Sequence, residues 1–341
     1  MPLLNSTNEV RKILKYYSEK RVSIPCFCAE NTYTMEGVLM GASDFAIKNK
    51  LNSVAVYIAA TGNYHGRQQL KNYTSLDRTE EGFMAFRNDL ERLARVNGPF
   101  NNVQVIPSLD HGQPKLDEFL FEEGRGFWGC VMYDCSTRPL DENRRMTADF
   151  VIKHRDDYVI EGCVDEINES GTGGMNLTGP ENAKRFLEET GVDLVVVNVG
   201  TEHRATKADI RYRSDIAKKI YELVGYKLVL HGTSSLSQQD LCNLRHDGIA
   251  KVNIWTVLET RGAQLLLRNM IENIGRIIPD DYAKDMFEKG LIGKAAFDNA
   301  AKYQQQLGYM VEVYRRNEIK VPVIKELIEK FLEAFYFSIK D

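Results

Sequence analysis

Apolar residues fall into short dense runs, separated by longer stretches in which they recur at intervals of three and four. The runs at 22–28, 53–59, 103–109, 128–133, 159–164, 194–199, 227–230 and 249–254 are rich in Val, Ile and Leu. Strands buried on both faces, as in a parallel sheet, need near-continuous apolarity of this kind. Between the runs, 35–49, 80–96, 115–123, 148–155, 180–190 and 215–224 interleave charged residues with apolar ones at helical spacing, which gives each helix one apolar and one solvated face. Eight strands alternating with helices predict an α/β fold closed as a (β/α)8 TIM barrel rather than an open sheet.

Beyond residue 254 the pattern is helical, with helices expected at 259–278, 281–306 and 321–337. In 321–341, Leu, Ile and Phe share one side and Lys and Glu the other, so this segment either packs on its own barrel or forms a subunit contact. No Pro/Gly/Ser-rich linker or low-complexity segment interrupts the chain. A single barrel domain over 1–341 is expected, with 317–341 as a C-terminal helical extension.

Composition narrows the partners. With 43% hydrophobic residues the 341-residue chain can build a large core. A formal net charge of −4 and the lack of a dense Lys/Arg run give no electrostatic case for nucleic acid or an anionic membrane surface. The expected partner is a small molecule. The six cysteines, Cys26, Cys28, Cys130, Cys135, Cys163 and Cys242, form no CxxC framework, and most lie in or beside apolar runs as small hydrophobes. The amino terminus lacks signal-peptide features, and no apolar run approaches the length of a bilayer span. A cytoplasmic protein with reduced thiols is expected.

The polar clusters fall at the ends of the strand runs. Asp110-His111-Gly112 follows the third, Asp134-Cys135-Ser136 the fourth, and Glu161 lies within the fifth. Gly200-Thr201-Glu202-His203 follows the sixth and His231-Gly232-Thr233-Ser234 the seventh; Asn253 and Thr256 close the eighth. In a βα barrel these ends converge on one mouth. Of six histidines, His111, His203 and His231 each follow a strand; alone, each is an ordinary loop residue. Three imidazoles from different strands, with a fourth position open, make a catalytic zinc site. His65, His154 and His246 lie in polar or helical stretches and are expected at the surface.

The segments SLDHG (108–112), VMYDCSTRPLDEN (131–143), NVGTEH (198–203), LVLHGTSS (228–235) and KVNIWT (251–256) together resemble the class II fructose-bisphosphate and tagatose-bisphosphate aldolase family, in its order and spacing, up to about residue 310. The resemblance implies a lyase that makes or cleaves a C–C bond between a dihydroxyacetone-phosphate-like donor and an aldehyde. It implies zinc on His111, His203 and His231, stabilising the enediolate of the donor, and Asp110 exchanging a proton with the acceptor oxygen. Asn253 matches a residue that orients the intermediate. Gly200, Gly232, Ser234 and Thr256 match the positions that cradle the donor phosphate. Another divalent metal in place of zinc, a monovalent cation near the cradle, and a homodimer or homotetramer are compatible with the family.

Several positions depart from the family pattern. Arg204 stands where a Gly is usual, and is either a grip for a phosphate, carboxylate or sulfonate or a solvent-facing side chain. Ser235 replaces another Gly, and Ala59-Ala60-Thr61 lies where a Ser is usual. Cys163 takes the place of a carboxylate that can serve as an alternative metal ligand, and is either a soft ligand or core. Asp134 and Glu161 are further candidates for supporting or binding the metal. The loop after Gly173-Gly174 lacks the family's acidic run; Glu166 and Glu169 are candidates for the missing base. The expected substrate is therefore a sugar phosphate not restricted to fructose-1,6-bisphosphate, and the rival readings are a non-catalytic zinc- or sugar-phosphate-binding barrel and a zinc hydrolase.

Overall fold

The computed structural model describes residues 3–167, 177–202 and 212–336. Eight parallel strands, β1 (Ile24–Cys28), β2 (Val54–Thr61), β3 (Val103–Gly112), β4 (Cys130–Tyr133), β5 (Val159–Cys163), β6 (Leu194–Val196), β7 (Leu228–Leu230) and β8 (Ile249–Ile254), pair in chain order. The ring closes where β1 meets β8, with Ile24 beside Lys251 and Cys26 beside Asn253. Every strand residue except Gln104 is buried, which is why the runs read as continuously apolar rather than alternating. β2 and β3 run past the expected ends, to Thr61 and Gly112, while β6 stops at Val196, short of 199.

Helix boundaries follow local chemistry. The helix Thr32–Lys48 starts before residue 35 because the Asn31 side chain accepts the Thr34 N–H at 2.8 Å and caps the first turn. Leu140–His154 is longer than the 148–155 pattern suggests, starting directly after Pro139. Pro180–Thr190 carries Pro in its first turn and ends at Gly191, whose φ of 71° suits a left-handed cap. His154, expected at the surface, is buried: its ring packs on Phe150 at 4.5 Å and its Nδ1 lies 3.0 Å from Asp157 Oδ2. His65 and His246 are exposed.

The chain divides into two compact units, Met1–Thr256 with Ile328–Asp341, and Val257–Leu327. In the first, Tyr336 is a clasp. Its hydroxyl accepts the Ala55 N–H at 2.9 Å and donates to the Ala55 carbonyl at 2.8 Å, while its ring packs on Tyr17 and Phe45. That fastens the end of the last helix, Val321–Phe335, to β2. In the second unit the expected helix 281–306 is broken into Asp280–Glu288 and Lys294–Ala300, with Gly290 at φ 70° after the first piece. Ala283 and Ala300 join Ile274 in a small apolar cluster, and Phe287 stacks on Phe297 at 4.8 Å. Among the described residues no helix is long and apolar enough to cross a membrane.

Candidate metal and active site

Asp110 and His111 are consecutive, and consecutive residues of a regular strand point to opposite faces. Here β3 breaks its alternation. Leu109 pairs with Val131 and Gly112 with Tyr133, so β3 carries one residue more than β4 across this interval, and His111 takes φ 49°. The bulge brings both side chains to the same place. Ligand atoms of Asp110, His111 and His231 all lie within 4.8 Å of one another, and all three residues are buried.

Each is held from behind. His111 Nδ1 lies 2.6 Å from Asp134 Oδ2, and the other oxygen of Asp134 accepts the Ser136 N–H and hydroxyl at 3.0 and 2.7 Å. A carboxylate behind one ring nitrogen fixes the tautomer, and Nε2 is then the nitrogen suited to a metal. Burial alone would push Asp134 up, but the His111 contact and the Ser136 donors hold it below its ordinary range. Tyr64 stacks on the His111 ring at 4.1 Å. Thr201 Oγ1 donates to the His231 carbonyl at 2.7 Å, tying the ends of β6 and β7 together. Burial pulls His231 well below the usual imidazole range, keeping it in the neutral form a metal requires.

Asp110 is fully buried and fully engaged. Asn253 Nδ2 donates to Oδ1 at 2.9 Å, Arg67 Nη2 reaches Oδ2 at 2.5 Å, and the Cys28 thiol lies 3.6 Å from Oδ2. Burial opposes its ionisation, yet the facing His111 and the Arg67 guanidinium outweigh that and hold the carboxyl well below the usual range. With both oxygens committed, Asp110 is placed to handle protons, and the two histidines are the better metal donors. His203, the expected third ligand, and Arg204 lie outside the described residues, as do Glu169 and Gly173–Gly174. The chemistry of the donors present, two buried imidazoles with one backed by a carboxylate, fits zinc or a similar divalent ion.

A small pocket opens beside Asp110, lined by Cys28, Arg67, His231, Gly232, Ser234 and Asn253 through Thr256. Most of the expected substrate-binding positions therefore share one cavity. Gly200 is not on its wall; its N–H donates to Asn198 Oδ1 at 3.1 Å. Gly232 sits at φ 71°, and a Cβ there would lie 2.6 to 2.8 Å from the backbone of Glu202, so the turn after β7 admits only glycine.

Below this layer, Lys251 Nζ and Glu161 Oε1 form a fully buried pair at 2.6 Å. The Cys130 thiol donates to the same oxygen at 2.9 Å, and Nζ lies 4.9 Å from the Tyr57 ring centre. Lys251 and Asn253 share a face of β8, so the pair underlies the contact between Asn253 and Asp110, and Glu161 Oε1 is occupied by Lys251 and Cys130. Cys163 donates to the Asp165 carbonyl at 3.2 Å and packs with Met132, Val196 and Val229 in the barrel core. Glu166 is exposed, and its carbonyl accepts from Asn198. Arg67, Tyr64 and Trp255 form a wall of the site that the strand-end pattern does not reveal. Their one sequence signal is an aromatic and basic residue close together in the turn-rich GNYHGR after β2.

Fold and site together define a βα barrel with a metal-type centre at the C-terminal ends of its strands. The model of the class-II fructose-bisphosphate aldolase family matches residues 8–314, and the chain belongs to that family. It is 37% identical over 152 residues to a fructose-bisphosphate aldolase of Giardia intestinalis, an alignment covering 42% of this chain and 46% of that protein. The chain thus spans about half the length of that relative. It is 30% identical over 270 residues to the D-tagatose-1,6-bisphosphate aldolase subunit GatY of Klebsiella oxytoca, covering 77% of this chain and 86% of the relative. The crystal structure of a fructose-bisphosphate aldolase from Campylobacter jejuni shares the fold, with a TM-score of 0.73 over 98% of this chain and 95% of the other, at 17% identity.

Proposed function

We propose that this protein is a metal-dependent class II aldolase acting on a ketose phosphate, with substrates not restricted to fructose-1,6-bisphosphate. The observation that carries the reading is the placement of the buried Asp110 between Asn253 and Arg67, within 4.8 Å of the donor atoms of His111 and His231. His111 and His231 hold the metal, with His203 as the third ligand. When bound, zinc supplies Lewis-acid stabilisation of the negative charge that develops on the donor half of the substrate.

The chain's own residues do the rest. In the cleavage direction Asp110 takes the proton of the hydroxyl next to the breaking bond, and in synthesis it returns that proton to the acceptor oxygen. Asn253 keeps Asp110 in place through Nδ2 and offers its carbonyl oxygen, which has no partner among the described residues, to a substrate hydroxyl. Gly232, Ser234 and Thr256 line the cavity where the donor phosphate sits. A cytoplasmic homodimer or homotetramer belongs to this proposal.

The test joins metal content to cleavage of fructose-1,6-bisphosphate, tagatose-1,6-bisphosphate and related phosphoketoses, with and without chelator. About one zinc per chain and chelator-sensitive cleavage are expected. An Asp110→Asn variant should keep its metal and lose about 10²- to 10⁴-fold in kcat. Bound metal with no cleavage of any phosphoketose would instead favour a non-catalytic binding barrel.

A further inference from the structure

The pocket beside Asp110 is lined unevenly in hydrogen-bonding terms. Arg67 and Trp255 can only donate. Trp255 Nε1 and Ser234 Oγ are buried atoms that meet no partner among the described residues, and both residues line the same cavity as Arg67. Buried polar atoms left in this state are costly unless a ligand completes them. On the same wall Asn253 Oδ1 is an acceptor that meets no partner among the described residues. The complementary ligand is thus rich in acceptors at one end and carries a hydroxyl at the other.

Arg67 is built to serve the acceptor-rich end. Its side chain is 9% exposed. The guanidinium carbon lies 5.4 Å from the Trp255 ring centre and 5.7 Å from that of Tyr64, contacts that hold a planar cation without using its in-plane N–H groups. One nitrogen reaches Asp110. A guanidinium has five N–H donors in a fixed fork, so it can hold a carboxylate and still present donors to an oxyanion.

We infer that Arg67, Trp255 Nε1 and Ser234 Oγ form an oxyanion clamp for a phosphate of the substrate, with Arg67 determining specificity and joining the bound phosphate to Asp110. This rests on the lyase reading for the identity of the substrate, but the clamp itself is a binding site and can be measured without turnover. The phosphate is that of the donor, since the clamp shares its cavity with Gly232 and Thr256.

The experiment is calorimetric titration of the purified, metal-loaded protein with inorganic phosphate, repeated after chelation so that phosphate bound to the metal is separated from phosphate in the clamp. Arg67→Gln should weaken phosphate binding by about tenfold or more, and Arg67→Lys by less. Trp255→Phe, which keeps the ring and deletes the N–H, should weaken it by about threefold to tenfold. Phosphate binding that is unchanged in Trp255→Phe and Arg67→Lys, or that vanishes entirely on chelation of the wild-type protein, overturns the clamp. Trp255→Phe keeps the test open if the Arg67 variants do not fold. Phosphate binding that falls in the variants of a protein cleaving no phosphoketose would remove the lyase reading and leave the clamp. Where cleavage is seen, Arg67→Lys should raise KM for fructose 1-phosphate and fructose-1,6-bisphosphate alike, and a rise for the bisphosphate alone would overturn the assignment of the clamp to the donor phosphate.

Discussion

Replacing Lys251 by Met removes one half of a charge pair that no water reaches. Both side chains are fully buried, the Nζ to Oε1 distance is 2.6 Å, and the same oxygen accepts the Cys130 thiol. At that separation, with an effective dielectric of about 20, the attraction is about 6 kcal/mol. Much of it is offset by the cost of taking both ions out of water. The attraction is lost in the single variant while the desolvated carboxylate of Glu161 stays behind, so a loss of about 3–5 kcal/mol in folding stability is expected. Glu161→Gln combined with Lys251→Met leaves no charge behind, and should recover most of that loss. The assay is equilibrium urea denaturation of the wild type, the two single variants and the double variant, with metal content held constant. A Lys251→Met protein within about 1 kcal/mol of the wild type, or a double variant no better than the single one, would refute the claim that the pair is dry and mutually dependent.

Two further outcomes follow from the geometry. Asp134→Asn leaves the His111 ring a neutral partner in place of a carboxylate at 2.6 Å, so zinc affinity, measured by competition with a chromogenic chelator, should fall about 10- to 100-fold; an unchanged affinity would place the metal away from His111. Gly232→Ala forces a Cβ against the Glu202 backbone at a left-handed residue and should destabilise the protein by about 1–3 kcal/mol or more in thermal unfolding, while a neutral effect would mean that the turn after β7 relaxes freely.

The barrel was readable because parallel strands leave an undiluted apolar signal, and because strand-end polar clusters fall where a barrel gathers them. Asp110, His111, His231, Ser234, Asn253 and Thr256 could be named from that logic alone. Asp134 was named only as a candidate; its position behind His111 depends on how two neighbouring strand ends lie in space. Arg67 escaped because the loop after β2 has no periodicity, and its side chain is placed by two aromatic faces and a carboxylate from distant strands. Lys251 was quoted within a motif yet given no role, since its partner Glu161 lies 90 residues earlier on another strand. His154 was misjudged because a helical position beside charged neighbours reads as exposed, whereas Phe150 one turn back covers its ring. The break at Gly290 shows the reverse error, apolar spacing carried through a residue that readily leaves the helix.

The Tyr336 clasp and the seam between β1 and β8 have a consequence for how the protein is made. Tyr336 and its partner Ala55 are 281 residues apart. At about 5–20 residues per second, roughly 15–55 s of synthesis separates their emergence from the ribosome. During most of that time the outer edge of β1, later covered by β8, is an unpaired parallel edge of an incomplete barrel, and such edges template intermolecular pairing. The yield of active protein therefore depends on how well nascent chains are sheltered over that interval, and slower translation or higher expression shifts the product towards aggregate even when the finished fold is stable.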